Sequence, residues 1–507
     1  MQDKKKLLFL IVSFSILIRI PYLNCPLFTD EGGYAYQAYF WMEKGINFYR
    51  SYFYIMPPGF PLLYALIFKT LGIKPLNIRL FLAFWNATAV IFIYLTTKRL
   101  FSEKIALFSA FLYSCLSWLP LIKGNVGKEV FMLLPTSISL YFYVLYHENF
   151  KIWPLFLAGF FSSLAVVFKQ SALPPLACLL IFIYMESPKK FKHILIFLLS
   201  TSLPIIPCII FGCASLGLKN FLYSIVFFRV GTNSIFSGYW WYHPLRFLYS
   251  IIKTGVIFWL IALILSKKFI KKEYSFYFLI FYLFFSFLGI FLGGNWFDHY
   301  YVQILPSLCI LLAVGYIKVF ESKRKSYIFS ISALLILPFF IYTLVALNYN
   351  YCLRLPDYSL TPKIADYLKK NSSSTDTIYA FLYSDWSVYF LAKRMAAFFY
   401  LARDQLLFLP KNILQFLRFL NSNKRPNYLI TYPEEKSIKI VRKYCEVPKG
   451  FINKIKKGFS GGFRPFCKQY PIQIFLVKKV FRVIPKYYRP VKTISAKGVS
   501  VIIWKRK

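Results

Sequence analysis

The sequence predicts an α-helical polytopic membrane protein of about eleven transmembrane helices, followed by an extracytoplasmic C-terminal α/β domain. Apolar residues make up 58% of the 507 residues, and aromatic residues make up 21%. Charged residues reach only 16%, against about 25% in soluble domains. The apolar residues are also gathered into runs long enough to cross a bilayer core of about 30 Å. This composition excludes an intrinsically disordered chain, a collagen and a disulfide scaffold.

Eleven segments approach the roughly 17 to 25 residues that a helix needs to span a membrane. They are residues 7–23, 75–95, 105–121, 130–146, 152–168, 172–185, 194–213, 248–266, 274–292, 300–317 and 327–347. The first follows Lys4, Lys5 and Lys6, and no small-residue cleavage site comes after it. We therefore expect this segment to remain as an uncleaved helix rather than a signal peptide.

The distribution of positive charge predicts a cytoplasmic N-terminus. With that orientation, the connections assigned to the inside carry 18 Lys and Arg in 44 residues, whereas those assigned to the outside carry 10 in 101. Short cytoplasmic connections are the ones enriched in Lys and Arg. This orientation predicts a multi-pass plasma-membrane protein whose two long loops, residues 25–74 and 214–247, lie on the outer face together with residues 348–507. We expect function on that face, because long loops on one side usually carry it.

After residue 347 the amino-acid composition becomes that of a soluble protein. This change divides the chain into a membrane domain (1–347) and a basic domain (348–507). The second part holds 31 Lys and Arg against 8 Asp and Glu. Periodicity predicts helices over residues 362–370 and 404–420 and strands over 377–382, 427–431 and 499–504. No nucleic-acid-binding motif accompanies the charge, so we expect no nucleic-acid partner. A solvated face or contact with anionic membrane lipids explains it instead.

Carboxylates are scarce on the predicted outer side, so each one is a candidate for function. Asp30 and Glu31 directly follow the first apolar segment, Glu129 begins the fourth, and Asp298 precedes the tenth. An ionised carboxylate at a membrane boundary is costly unless it stays hydrated or has a partner. For Asp30 a structural alternative exists, since Thr29 and Asp30 could simply cap a helix that begins at Glu31.

The acidic pair belongs to a longer pattern. Tyr34 follows it closely, and further along the same loop Met56 precedes the rigid Pro57-Pro58 turn and an amphipathic segment over residues 60–71. This pattern resembles the membrane glycosyltransferases of the GT-C superfamily. More closely, it resembles the branch that holds the protein O-mannosyltransferases and the lipid A aminoarabinose transferases. Further matches are Phe168-Lys169-Gln170 with Pro174-Pro175, the segment from His299 to Pro306, and the segment from Thr361 to Leu368.

The resemblance implies an enzyme that moves a sugar from a polyprenyl-phosphate carrier to a lipid, glycan or protein acceptor on the outer face, with inversion at the anomeric carbon. It implies that Asp30 is the general base and that Glu31 orients the loop or the acceptor. The residues that it implies for donor or acceptor binding are Tyr34, Glu129, Lys169, His299 and Tyr300, and the second long loop adds Arg229. We expect no cofactor and no metal site, because the four histidines have no ligand spacing.

One departure from the family pattern is informative. Many relatives have a lysine where this chain has Met56, so another cation must meet the donor phosphate. Lys169 is favoured by its surroundings and Arg229 by its place in the second long loop, while Arg50 and Lys128 are further choices. Each could instead be an interfacial cation that only reaches towards water.

A polytopic transporter, or a flippase of polyprenyl-linked glycans, is the alternative function. Such proteins also combine many helices with charges inside the membrane. The large outer domain and the polar first outer loop favour the enzyme.

Overall fold

A computed structural model of the chain describes residues 2–25, 27, 29–47, 49, 56–118, 127–227, 242–270, 273–293, 297–347, 356–383, 385–401, 406–407, 410–445 and 470–507.

Helices dominate the part of the chain before residue 348. They are α1 (Gln2–Leu17), α2 (Thr29–Lys44), α3 (Gly59–Leu71), α4 (Pro75–Leu100), α5 (Glu103–Leu116), α6 (Lys128–Asn149), α7 (Ile152–Phe168), α8 (Leu173–Glu186), α9 (Lys190–Leu216), α10 (Leu218–Leu222), α11 (Tyr242–Lys253), α12 (Val256–Ser266), α13 (Tyr274–Leu292), α14 (Leu305–Glu321) and α15 (Lys325–Leu347). Prolines in the first turn start α4, α8 and α14. Proline suits this position because its missing N–H would have no partner within the helix.

A helix overlaps each of the eleven apolar segments that the sequence predicts. Among the described residues, five helices are long and apolar enough to cross a membrane: α4, α6, α9, α13 and the span His299–Glu321 that contains α14. The bent pair α11 and α12 would make a sixth. The chain is therefore a multi-pass membrane protein, while the number of eleven spans stays a prediction.

The single helix predicted over residues 248–266 is wrong. The chain there forms two helices that meet at 88°. Gly255 lies at the break with a φ of +74°, a left-handed conformation that a helix cannot continue through and that glycine tolerates best. The polar interruption at the break is only Lys253-Thr254-Gly255, and the apolar residues on both sides keep the mean hydropathy of the whole segment high.

The membrane part is organised around α6, which packs against α4 and α7, and α7 packs in turn against α9. Helices α2 and α3 pack on each other, and α3 also contacts α4 and α7. An aromatic cluster joins them to α6: the ring of Phe60 lies 4.6 Å from that of Tyr34 and 5.1 Å from that of Phe131. The helix that carries the acidic pair thus rests on the same end of the bundle at which α6 begins.

The C-terminal α/β region (residues 356–507) is built on one five-stranded sheet. Its elements are α16 (Pro356–Asn371), β1 (Thr377–Phe381), α17 (Ser387–Ala392), β2 (Met395–Ala396), α18 (Pro410–Leu420), β3 (Tyr428–Thr431), α19 (Glu434–Cys445), α20 (Tyr470–Tyr487), β4 (Tyr488–Ala496) and β5 (Val499–Arg506). The strand order is β2-β1-β3-β5-β4. β1 runs parallel to β2 and β3, whereas β5 is antiparallel to β3 and β4.

The crossover connections place helices on both faces of this sheet. The step from β1 through α17 to β2 and the step from β2 through α18 to β3 run in opposite directions along the sheet. Right-handed crossovers then put α17 and α18 on opposite faces. The rings of Tyr379 and Phe381 in β1 contact Phe416 of α18, at 4.7 and 5.0 Å between centroids. The face of α17 is the one turned towards the membrane part, because α17 packs against α2.

The helix predicted over residues 404–420 corresponds to α18 (Pro410–Leu420), and residues 406–407 are also helical, while residues 404–405 and 408–409 lie outside the described residues. The sequence did not predict the helices α17, α19 and α20 or the strands β2 and β4. Helix α20 and strand β4 are rich in Lys and Arg on their exposed side, so this segment resembles a solvated charge run when only composition is considered.

Candidate active site

The acidic pair lies inside the first turn of α2. The helix begins at Thr29, two residues before the start that the capping alternative requires, so Thr29 and Asp30 are helical residues rather than a cap ahead of Glu31. Negative charge in a first turn is favourable, because the helix dipole is positive there. Asp30 is partly buried and Glu31 is buried.

Glu31 forms a buried ion pair with Arg79, at the start of α4. Two guanidinium N–H groups donate to its carboxylate, from Nη2 to Oε2 at 3.1 Å and from Nε to Oε1 at 3.4 Å. Arg79 also donates from Nη1 to the carbonyl oxygens of Tyr22, Leu23 and Cys25. Bidentate Arg–carboxylate pairs fix geometry as well as charge. The pair therefore holds α2 against α4 and against the end of the segment that follows α1.

A second polar cluster gathers around Glu129. The Nζ of Lys169 lies 2.8 Å from Glu129 Oε1, and the Nζ of Lys128 lies 3.6 Å from the same oxygen. The Nε2 of His299 lies 3.8 Å from it. We call this group the Glu129 cluster, and it consists of Tyr34, Lys128, Glu129, Lys169, His299 and Tyr300.

Two tyrosines complete the cluster. Lys128 donates a 2.8 Å hydrogen bond to the hydroxyl of Tyr34, which lies one turn after Asp30 on α2. The Nζ of Lys169 lies 3.3 Å from the centroid of the Tyr300 ring, a cation–π contact. Since residues at i and i+4 of a helix lie on the same side, Asp30 borders the Glu129 cluster through Tyr34.

The elements that carry these side chains are fixed to one another. Lys169 is the extended residue that ends α7, before the short 3₁₀ turn Gln170–Ala172. His299 and Tyr300 lie on a second 3₁₀ helix, Asp298–Ile304. The side chain of Gln303 joins the two turns, because it accepts a 2.7 Å hydrogen bond from the Ser171 hydroxyl and donates a 2.6 Å bond to the Ser171 carbonyl.

The Glu129 cluster combines charge with burial. Lys128, Glu129 and Lys169 are all less than 10% exposed. Buried charges are stable only when they are paired. A phosphate that entered here would add a counter-charge within hydrogen-bonding distance of two lysines. Among the described residues, no three His, Cys, Asp or Glu side chains come together as metal ligands would.

The structure brings together most of the residues that the sequence singled out. Tyr34, Glu129, Lys169, His299 and Tyr300 share one cluster, and Asp30 and Glu31 lie at the start of the adjoining helix. Arg229 and Arg50 lie outside the described residues, as does the side chain of Asp298. Lys128, which the sequence offered only as one of several cations, is a full member of the cluster.

Arg79 was missed. It falls inside an apolar segment predicted to span the membrane, whereas the candidate cations lie in the predicted outer connections. The signal was nevertheless present, because a charge within a span requires a partner and the nearest unexplained carboxylates were those of the outer loop.

Comparison with known proteins agrees with the resemblance that the sequence suggested. Residues 56–211 match the family described as dolichyl-phosphate-mannose-protein mannosyltransferase. No curated protein matches the sequence closely enough to be significant.

Solved structures extend the likeness to the whole fold. The structure of ArnT from Cupriavidus metallidurans bound to undecaprenyl phosphate matches with a TM-score of 0.63 and 13% identity, over 85% of this chain and 93% of that one. The oligosaccharyltransferase of Archaeoglobus fulgidus, tethered to an acceptor peptide, matches with a TM-score of 0.57 and 12% identity, over 99% and 74% of the two chains. The same archaeal enzyme, AglB, in complex with an inhibitory peptide and a dolichol-phosphate, also has a TM-score of 0.57 at 12% identity, over 98% and 74%. The protein therefore has the fold of the GT-C glycosyltransferases, and its residues 56–211 carry the sequence pattern of their dolichyl-phosphate-mannose-protein mannosyltransferase family.

Proposed function

We propose that this protein is an integral-membrane glycosyltransferase that moves a sugar from a polyprenyl-phosphate carrier to a lipid, glycan or protein acceptor on the outer face of the membrane. The observation that carries the proposal is the Glu129 cluster. It places two buried lysines and a histidine on one carboxylate, directly beside the helix turn that carries Asp30. An anion-binding group next to a candidate base is the arrangement that such a transfer needs.

The reaction that this arrangement supports is a single displacement. The acceptor hydroxyl oxygen attacks the anomeric carbon while the Asp30 carboxylate takes the hydroxyl proton. The bond between that carbon and the phosphate oxygen breaks, and its electron pair leaves with the polyprenyl phosphate. Attack from the side opposite to the leaving group inverts the configuration of the sugar. Glu31, held by Arg79, keeps the first turn of α2 in place during this step.

Lys169 is the cation that we assign to the leaving phosphate, in place of the lysine that many relatives have before the Pro-Pro turn. The position supports this assignment. A Cβ atom added at Gly59, which ends the Met56-Pro57-Pro58 turn, would meet the carbonyl of Val167 at 2.9 Å. The turn that lacks its lysine therefore abuts the end of α7, and Lys169 follows Val167 by two residues. Lys128 supplies a second ammonium group, and preorganised cations of this kind stabilise charge as it develops.

Two similar structures support the class of donor. ArnT was solved with undecaprenyl phosphate, and the archaeal oligosaccharyltransferase with a dolichol-phosphate. Both are carriers in which a long isoprenoid ends in a phosphate. We infer a donor of this class for the present chain.

The test is a transfer assay on the purified protein. A panel of polyprenyl-phosphate monosaccharides with radiolabelled sugars is incubated with the protein and membrane lipid extract, and the label that leaves the carrier is identified. We expect one sugar to move to an extracted acceptor. The same donors in proteoliposomes test the flippase alternative, since a flippase would carry the intact labelled donor across the bilayer without breaking its phosphate bond. Movement of intact donor without any transfer would overturn the proposed function.

A further inference from the structure

Helix α2 does not rest only on the membrane part. Its first turns also lie against the C-terminal α/β region, where two consecutive glycines allow the contact. A Cβ atom added at Gly32 would collide with the Cβ and backbone of Ser387, and one added at Gly33 would lie 2.5 Å from the indole of Trp386. These glycines directly follow the acidic pair, so any larger side chain there would push the two parts of the molecule away from each other at the turn that carries Asp30.

The contact lies at a particular place in the α/β region. Residues 385–387 lie just after the carboxyl end of β1, in the crossover that leads to β2. Strand β3 lies on the other side of β1. Sheets of this kind usually bind their ligands at such a point, where the crossovers diverge. Here the first turns of α2 pack against that position.

Further contacts continue along α2. The Tyr36 hydroxyl accepts a 3.1 Å hydrogen bond from the Ala396 N–H of β2, the edge strand of the sheet. The ring of Tyr36 lies 5.5 Å from that of Tyr389, and Phe390 stacks on Phe68 of α3 at 5.7 Å. Burial raises the pKa of Tyr36, so its hydroxyl stays neutral. Through this hydroxyl α2 covers an edge N–H that would otherwise lack a protein partner.

The loop that meets the glycines is itself held in one position. The Asp385 carboxylate is buried, accepts a 2.6 Å hydrogen bond from the Thr361 hydroxyl and accepts bonds from the backbone N–H and hydroxyl of Ser387. A buried carboxylate with several donors is a stiff support, because each lost bond would leave a charge without compensation.

Helical geometry places Asp30 between the two supports. At 100° per residue, Tyr34 lies about 40° to one side of Asp30 around the helix axis and Gly33 about 60° to the other side. Tyr34 contacts Lys128 of the Glu129 cluster, and Gly33 contacts Trp386 of the α/β region. The direction of the Asp30 side chain therefore depends on both contacts.

We propose that the C-terminal α/β region is a positioning element for the general base, acting through Gly32, Gly33 and Tyr36 of α2. This inference rests on the proposed function, because it assigns the role of the base to Asp30. None of these residues touches the reacting atoms. Their contribution is to fix the rotation and height of the first turn of α2, and a misplacement of about 1 Å at a reacting group can cost about 100-fold in rate.

The test compares Gly33→Ala with a variant that restores the space. In Gly33→Ala we expect kcat to fall by about 100-fold with the donor KM unchanged, since the donor meets the Glu129 cluster rather than α2. Trp386→Ala removes the indole that the new methyl group would meet. The double variant Gly33→Ala with Trp386→Ala should therefore regain much of the lost kcat. Tyr36→Phe, which removes only the hydroxyl, should lower kcat in the same direction by a smaller factor.

The matched control is Gly315→Ala. A Cβ atom at Gly315 would also collide with a serine side chain, that of Ser266, but between α14 and α12, outside the α2 contact. It should lower the amount of folded protein and leave kcat per folded molecule unchanged. The inference is overturned if Gly33→Ala keeps the wild-type kcat, if it loses no more than Gly315→Ala, or if the double variant is no better than Gly33→Ala.

A second measurement separates this inference from the proposed function. If the wild-type protein transfers no sugar, the proposed function fails, and amide hydrogen exchange then decides on the contact alone. Exchange over residues 30–36 should be faster in Gly33→Ala than in the wild type and unchanged in Gly315→Ala. Equal exchange in all three proteins would show that the α/β region does not hold this turn.

Discussion

At the scale of residues, the two buried carboxylates of the site have different partners. Glu129 accepts contacts from Lys128, Lys169 and His299, whereas Glu31 forms a bidentate pair with Arg79. Both lysines of the Glu129 cluster are buried. Under the proposed function, these lysines meet the donor phosphate in place of the lysine that many relatives have where this chain has Met56.

Replacing Lys169 by alanine should weaken donor use. Charge-assisted hydrogen bonds to phosphate contribute about 1.5 to 3 kcal/mol, which corresponds to a loss of roughly 10- to 150-fold in kcat/KM for the donor. The matched control is Lys219→Ala, an exposed lysine just after α9, which should behave as wild type. Steady-state kinetics with a labelled donor measure both. Wild-type kinetics in Lys169→Ala would leave the lysine as an ordinary partner of Glu129.

Replacing Asp30 by asparagine should abolish most of the turnover. The change keeps the size of the side chain and removes its basicity, and general-base catalysis is typically worth about 10² to 10⁴ in rate. Donor binding should survive, because the Glu129 cluster is intact. Glu43→Gln is the control on the same helix, since Glu43 is exposed in the last turn of α2. An Asp30→Asn enzyme with normal turnover would require another base.

Glu31 and Arg79 should contribute jointly, rather than independently, to the stability of the folded protein. Removing one member of a buried ion pair leaves an uncompensated charge and costs about 3 to 5 kcal/mol. Glu31→Leu and Arg79→Met should each lower the midpoint of thermal unfolding in detergent. The double variant should lose clearly less than the sum of the two, because neither charge is then left alone. Strictly additive losses would show that the two side chains do not depend on each other.

At the scale of elements, apolar run length predicted where helices occur, and local backbone conformation decided how they end. A helix overlaps each of the eleven apolar segments, because an apolar segment within a membrane must form its backbone hydrogen bonds internally. The break at Gly255 was missed because Lys253-Thr254-Gly255 is a short interruption between two apolar runs. Helix α20 and strand β4 were missed because their exposed side is strongly basic, which obscures the buried apolar residues of α20 such as Leu476, Val480 and Ile484.

The site was predictable to the extent that topology gathers residues at one end of a bundle. Asp30, Glu129, Lys169 and His299 all adjoin the same end of alternating apolar segments, so an alternating topology already predicts that they lie on one face. What the sequence did not reveal is which pairs touch. Which side chains touch depends on how each helix is rotated about its own axis. The sequence periodicity of an almost wholly apolar helix does not indicate this rotation. The contact of Lys128 with Tyr34 and that of Glu31 with Arg79 therefore could not be predicted.

The break between α11 and α12 should tolerate only residues that accept a left-handed backbone. A side chain with a Cβ atom costs about 1 to 2 kcal/mol in this conformation, so Gly255→Ala should lower the midpoint of thermal unfolding. Gly255→Asn should lose less, because asparagine enters this region more readily. Equal losses in the two variants would point to crowding at Gly255 rather than to its φ of +74°.

At the scale of the whole molecule, the two ends of the bundle have different electrostatic character. At the predicted cytoplasmic end, ion pairs such as Lys98 with Glu103 and Arg99 with Glu148 are partly exposed. At the other end, the pairs around Glu31 and Glu129 are buried. Exposed pairs contribute little to stability, so the first set suits a solvated surface and the second suits an enclosed site.

Cysteine labelling tests the predicted orientation. A cysteine introduced at the exposed Ser373 of the C-terminal α/β region, in a background without Cys25, Cys352, Cys445 and Cys467, should react with a membrane-impermeant reagent added to intact cells. One introduced at Ser322, after α14, should react only once the membrane is opened. Both positions are exposed in the structure. The reverse result would place Asp30 on the cytoplasmic face and exclude an extracytoplasmic reaction.

The hydrogen bond from Ala396 to Tyr36 joins residues that are 360 positions apart, and this separation constrains the order of events during synthesis. Helix α2 leaves the ribosome before most of the membrane part, whereas the strand that completes its packing emerges only after the membrane part has been inserted. Contacts this distant in sequence form late. A chain that stops before the α/β region, or that fails to deliver it to the same side as α2, would hold the Glu129 residues and Asp30 without the surface that orients the base. We therefore expect the nascent protein to remain inactive until the α/β region has been translated and has folded, which would keep an incomplete chain from consuming the lipid-linked donor.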